Sequence, residues 1–130
     1  MSATFTRHDP RAVPTPQGGY TNGLEVAHPS RWLHVSGQIP QTVDGVVPQS
    51  PEEQCRLIWA HITSVLASAS MEVGDIVKVT TYLGSRAVAS ANTQVRNEVL
   101  GDHRPALTVI IAGEIFDPAW LLEIEVVAAA

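Results

Sequence analysis

Leu121-Leu122-Glu123-Ile124-Glu125-Val126-Val127-Ala128 decides the fold. Read at a period of two, Leu122, Ile124 and Val126 share one face and Glu123, Glu125 and Val127 the other. A run this apolar predicts a strand within a sheet. Its acidic face must meet solvent, a partner subunit or a ligand, because a buried carboxylate is costly unless paired, hydrogen-bonded or protonated. A solvated sheet face is the simpler account of the two glutamates. A chemical role is the other, and it makes Glu123 and Glu125 the first candidates.

Working back from this strand, Asp117-Pro118 is a turn and Pro105 opens another apolar run over Ala106–Ala112. Ile76–Leu83, rich in β-branched residues, predicts a further strand. Between these runs Val88, Ala91, Asn92, Val95 and Val99 recur at helical spacing. Ser85 is the expected cap of that helix and Gly101 its stop. An earlier helix is marked by Ser50-Pro51-Glu52-Glu53, a capping box with proline at the first helical position. Behind it Cys55, Ile58, Ile62, Val65, Leu66 and Ala69 fall on one face, and Ser68-Ala69-Ser70 ends it. Tyr20–Val26 and Trp32–Ser36 read as strands, with Asp44-Gly45 as a tight turn after them. Residues 1–17 carry repeated prolines and read as an irregular leader.

The order ββ-α-β-α-ββ predicts one α+β domain over residues 1–130: one mixed sheet with two helices packed on one face. Two helices cover one side only. The other side is expected to carry apolar residues and to be covered by an oligomer.

Bulk composition narrows the function. With 45% hydrophobic and 16% charged residues, 130 residues bury a single core. The net charge of −5 and a single lysine, Lys78, argue against nucleic-acid partners and anionic membranes. One cysteine, Cys55, leaves no intrachain disulfide and no multi-cysteine zinc site. No apolar stretch approaches the ~18 residues of a membrane span, and the N-terminus lacks an apolar targeting core. A cytoplasmic protein is the expectation.

Local motifs add little by themselves. Ser36, in Val35-Ser36-Gly37-Gln38, fits a turn or a pocket wall, and it lacks the surroundings of a serine nucleophile. The five histidines show no metal-binding spacing, so no metal is expected. Gly18-Gly19 and Gly101 match no nucleotide fingerprint. His103-Arg104-Pro105 is a charged loop or a cation offered to an anionic ligand. Tyr20 packs a strand start or donates its phenol into a pocket.

An ordered set of segments resembles the RidA family, also called YjgF or reactive intermediate deaminase. The set is Tyr20 after two glycines, Val35-Ser36-Gly37-Gln38-Ile39-Pro40, Gly74-Asp75-Ile76-Val77-Lys78-Val79-Thr80, Asn92, Arg104-Pro105-Ala106 and Leu122–Ala128. It spans roughly residues 18–128, and its specificity lies in the order rather than in any one piece. The resemblance implies a chorismate-mutase-like fold and a homotrimer with clefts between subunits. It implies hydrolysis of amino-acid-derived enamines and imines to a 2-keto acid and ammonia, without a metal or organic cofactor.

In that chemistry an arginine of a P-A-R-S stretch grips the substrate carboxylate, a task suited to a bidentate guanidinium. This chain reads Pro105-Ala106-Leu107-Thr108, so the arginine position holds Leu107. The resemblance carries Tyr20, Ser36, Thr108 and Glu123 into the site: Glu123 as general base or water-positioner, Tyr20 as donor, Ser36 and Thr108 as binding residues. Arg104 is the nearby cation available to compensate. The resulting expectation is a small-molecule enzyme whose cleft is more apolar than usual. Its substrate is an imine, enamine or related carbonyl compound lacking the usual small amino-acid carboxylate. The alternative is a non-catalytic trimer that binds a metabolite or a protein. Ribonuclease activity, a label some family members carry, ranks last on the acidic charge.

Overall fold

The computed structural model describes residues 2–130. Six strands and two α-helices follow in chain order: β1 (Thr4–His8), β2 (Gly23–Ala27), β3 (Trp32–Gln38), α1 (Pro51–Ser68), β4 (Ile76–Leu83), α2 (Ala89–Leu100), β5 (Ala106–Ile111) and β6 (Leu122–Ala129). Strands β3, β6, β4 and β5 form a four-stranded sheet in that order. The β4–β5 pair is parallel, and the other two pairs are antiparallel. The expected α+β architecture is therefore present, and the glutamate strand lies inside the sheet between β3 and β4.

Helix α1 begins as its sequence dictates. Ser50 Oγ accepts from the Glu53 backbone N–H at 3.0 Å, and Pro51 takes the first helical position. The helix buries Gln54, Cys55, Ile58, Trp59, Ile62 and Leu66. It ends in a Schellman turn. Ser70 adopts φ 56°, and the Met71 N–H reaches back to the Leu66 carbonyl at 2.9 Å. Gly101, at φ 58°, stops α2 as expected. Ser85 does not cap α2. It precedes a 3-10 turn at Arg86–Val88, and its side chain makes no capping bond.

The core lies between the helices and one face of the sheet. Val79, Thr81 and Leu83 of β4 and Leu122, Ile124, Val126 and Ala128 of β6 point into it. The residues between them face the other way, which is the alternation predicted for β6.

Three expectations need correction. The leader is irregular only in part: Thr4–His8 pairs antiparallel with β2, while residues 9–17 have no regular structure and Asp9 ties that segment down. Its carboxylate accepts from Thr21 Oγ at 2.6 Å and from the Asn22 N–H at 2.7 Å. Prolines mark turns, and they mask a short strand ahead of them. The sheet is also not single. The β1–β2 hairpin is a separate sheet whose approach to β5 is one bridge, Thr21 to Ala106.

The face of the larger sheet away from the helices is mixed rather than largely apolar. It displays His34, Ser36, Lys78, Thr80, Tyr82, Thr108, Glu123 and Glu125, with Trp32, Ile110 and Val127 as its apolar members. Exposed apolar surface lies at Trp32 on this face, along edge strand β5 at Val109, Ile110 and Ile111, and at Phe116 in the loop before β6. β5 pairs on one side only and has no full layer over it, so its branched side chains stay open.

Candidate functional site

Glu123 sits opposite Tyr82 on the polar face of the sheet, one residue pair from Glu125 opposite Thr80. The pairing of β3 with β6 is irregular between Val35 and Gln38. Ser36 and Gly37 fall in this irregularity, where the strand bends and re-aims its neighbours. The Glu123 side chain folds over Gly37 so closely that a Cβ there would overlap its carboxylate. Glycine at 37 is therefore a requirement of the Glu123 conformation.

Two effects act on the Glu123 carboxyl. Partial burial raises its pKa, and the neighbouring Glu125 charge raises it further. Glu125 is held differently: Tyr82 donates its phenol to it at 2.7 Å. That bond, aided by some burial, keeps the Tyr82 phenol protonated to higher pH than usual. The two glutamates thus differ in role. Glu125 is engaged by a donor, and Glu123 keeps its proton-accepting capacity. Together with Tyr82, Glu114, Ile115 and Phe116 they line a recess of ≈ 310 Å³. A second recess of ≈ 250 Å³ lies alongside, lined by His34, Ser36, Lys78, Thr80 and Glu125. Lys78 donates to Thr108 Oγ at 2.7 Å.

A residue that sequence reading passed over fixes the approach to this strand. Gln54 is 1% exposed. Its amide nitrogen donates to the carbonyls of Pro48 and Ala119 at 2.8 and 2.9 Å. Its oxygen accepts from the Leu121 N–H at 2.8 Å. A glutamine at the margin of a helix's apolar stripe gives no sign of this, because its three partners are backbone groups remote in sequence.

The remaining candidates lie elsewhere. Leu107 pairs with Val79 and packs against the core, so it faces the helices, opposite in sense to Glu123. Tyr20 is half-buried near α2, close to Gly18 and the Arg96 guanidinium. Arg104 donates to the carbonyls of Gly101 and His103. His103 is committed to the Ile76 carbonyl at 2.6 Å and His61 to that of Gln41 at 2.8 Å. Within one chain, then, Ser36, Thr108 and Glu123 share the polar face with Lys78, Tyr82 and Glu125. Tyr20, Arg104 and Leu107 gather near the helical side.

Cys55 is not a nucleophile. Burial pushes its thiol up to about 12, and its only contact of note is Asn92 Oδ1 at 3.9 Å. Among the described residues no group of three or more His, Cys, Asp or Glu could hold a metal ion. No helix of theirs is long and apolar enough to cross a membrane.

The fold and sequence define a class. Residues 11–130 match the endoribonuclease L-PSP family, and the chain belongs to that family, the one also known as RidA or YjgF. A RutC family protein of Pyrococcus abyssi is 27% identical over 118 residues, covering 89% of this chain and 90% of the relative. TdcF of Escherichia coli, which carries the name of a reactive intermediate deaminase, is 26% identical over 102 residues, covering 76% of this chain and 72% of TdcF. The structure of a Rid family protein from Yersinia pestis superimposes with a TM-score of 0.83 at 25% identity, covering 97% of this chain and 98% of that one. TdcF crystallised with bound serine superimposes with a TM-score of 0.73 at 22% identity, covering 96% and 98%.

Proposed function

We propose that this protein hydrolyses an imine, enamine or related carbonyl compound in a cleft between subunits of a homotrimer. The observation that carries this reading is the Glu123 carboxyl. It is partly desolvated beside a like charge, folded over Gly37 and without a hydrogen-bond donor among the described residues, while Tyr82 engages Glu125 instead. A carboxylate of raised pKa is a better proton acceptor near neutral pH than an ordinary one.

The step is simple in atoms. Glu123 takes a proton from water as the oxygen attacks the imine carbon. The resulting carbinolamine collapses with cleavage of the C–N bond. The imine enters as its protonated iminium, so the carbinolamine is neutral. In its collapse the proton held by Glu123 goes to the departing nitrogen, which leaves as ammonia. The hydroxyl proton passes to the freed Glu123 carboxylate as the carbonyl forms and is then released to solvent. An enamine enters after protonation at carbon. No electron transfer is required.

The cleft draws on two subunits. In a single chain Leu107 and Glu123 face opposite sides of the sheet, so Tyr20 and Leu107 of one subunit would meet Glu123 of another. Tyr20 then donates to the substrate from the facing wall, with Ser36 and Thr108 as polar contacts. Leu107, where the family's arginine is expected, favours an apolar substrate group. TdcF holding serine supports a small-molecule ligand for this architecture. Ammonia release across a panel of imines tests the reading. Ligand binding with no release by wild type would favour the metabolite-binding alternative.

A further inference from the structure

Arg96 is the only buried charged side chain among the described residues, at 4% exposure. It pairs with no carboxylate. The acids on the same helical layer are used elsewhere, Glu52 and Glu98 both holding the exposed Arg56. The titratable groups near enough to act on Arg96 are the Cys55 thiol and the Tyr20 phenol, neither of them a carboxylate. Its Nε has no partner, and its Nη2 has one marginal contact, to Asn97 Oδ1 at 3.5 Å. These two nitrogens form the side edge of the guanidinium, whose parallel N–H bonds suit a carboxylate in bidentate geometry. A buried, uncompensated cation is costly, and a well-oriented anion removes much of that cost.

The cover over this edge is thin. A Cβ on Gly18 would stand 3.7 Å from Arg96 Nη2, and Gly18 itself is exposed. Gly18 has no positive φ, so its backbone does not demand glycine, and the cover it gives the charge is backbone without a side chain. The next residue, Gly19, is bracketed by Asn97 Oδ1 and by Arg104 Nη1, the latter 3.9 Å from where its Cβ would be. A second guanidinium thus stands at the rim, in a chain whose net charge is −5.

We propose that Arg96, roofed by Gly18 and Gly19 and with Arg104 at the rim, forms a binding site for a small organic carboxylate. Arg96 makes the bidentate contact through Nε and Nη2. Only the backbone of the glycine pair covers this edge, and the anion reaches it by displacing the 17–20 segment. The site does not depend on Glu123 and stands whether or not the imine chemistry does.

The test uses the full chain with pyruvate as probe and sodium chloride at equal ionic strength as control. Expected in wild type are a pyruvate-dependent rise in melting temperature and a shift of the Arg96 Nε–H resonance. Arg96→Leu, freed of a buried unpaired charge, should melt higher than wild type without pyruvate and not respond to it. Gly18→Leu keeps the charge and puts a side chain over the guanidinium edge, and it should weaken pyruvate binding roughly tenfold or more. An Arg96 resonance that pyruvate leaves unmoved overturns the proposal. So does a wild-type response in either variant. If pyruvate has no effect and Arg96→Leu breaks the oligomer, the partner is a carboxylate of a second copy, and the small-molecule site is refuted.

Discussion

The Glu123 carboxylate lies across the α-carbon of Gly37, in space that any side chain at 37 would occupy. Two segments some eighty residues apart in the chain are thereby fitted to each other, the bend in β3 and the acidic face of β6. Replacing Gly37 by alanine forces one of them to move. Gly37→Ala should displace the Glu123 carboxylate at little cost to fold stability, because the overlapping atoms are the far end of a flexible side chain. It should also lower any imine-hydrolase kcat/KM at least tenfold, ~1.4 kcal/mol in the barrier. Urea unfolding and ammonia release measure the two effects.

The pH dependence of stability follows from the same glutamate. Its folded-state pKa lies above the unfolded value, so the native state binds the proton more tightly than the unfolded state. That contribution is fully present below the unfolded pKa and is lost as pH rises through the folded one. Glu123→Gln cannot ionise and escapes the loss. It should be the more stable protein near neutral pH, with the advantage vanishing in acid. Paired urea melts between about pH 3 and about pH 7 check this, the range bracketing the ordinary glutamate value of about 4.3.

Much of this was legible from residue patterns. The alternation over Leu122–Ala129 and the β-branched run Ile76–Leu83 each correspond to an observed strand, and the Ser50 cap starts α1. What escaped was non-local. The strand at Thr4–His8 exists because β2 and Asp9 hold it, and its own composition does not announce it. The separation of Leu107 from Glu123 depends on the β4–β5 register, which no local pattern encodes. The burial of Arg96 is not encoded in the helix's own apolar positions, since it depends on the remote Gly18–Tyr20 segment folding over it.

Assembly is the next expectation. Val109, Ile110, Ile111 and Phe116 expose apolar side chains near the β5 edge of the sheet and Trp32 does so at the β3 edge, and such exposed apolar surface marks interaction sites. Light scattering at micromolar concentration should give three times the chain mass of 13.9 kDa. Ile110→Lys should shift the mass toward that of a single chain. A wild-type monomer under these conditions removes the intersubunit cleft.

Leu107 sets specificity in this account. Leu107→Arg should raise turnover of 2-iminopropionate, the small imino acid, by a factor of roughly ten or more relative to imines with bulky apolar groups. A charged hydrogen bond gained in a desolvated cleft is of that order. Steady-state ammonia release on both substrates reads the ratio. An unchanged ratio would mean that position 107 does not meet the substrate.

Ammonia release by wild type and Glu123→Gln, side by side on imines generated from leucine and phenylalanine, tests the central claim most directly. Wild type should accelerate hydrolysis above the buffer rate. Glu123→Gln should fall to the buffer rate while retaining the oligomer mass and ligand affinity of wild type. A Glu123→Gln protein that turns over these imines at the wild-type rate would contradict the assignment of Glu123 as the proton acceptor.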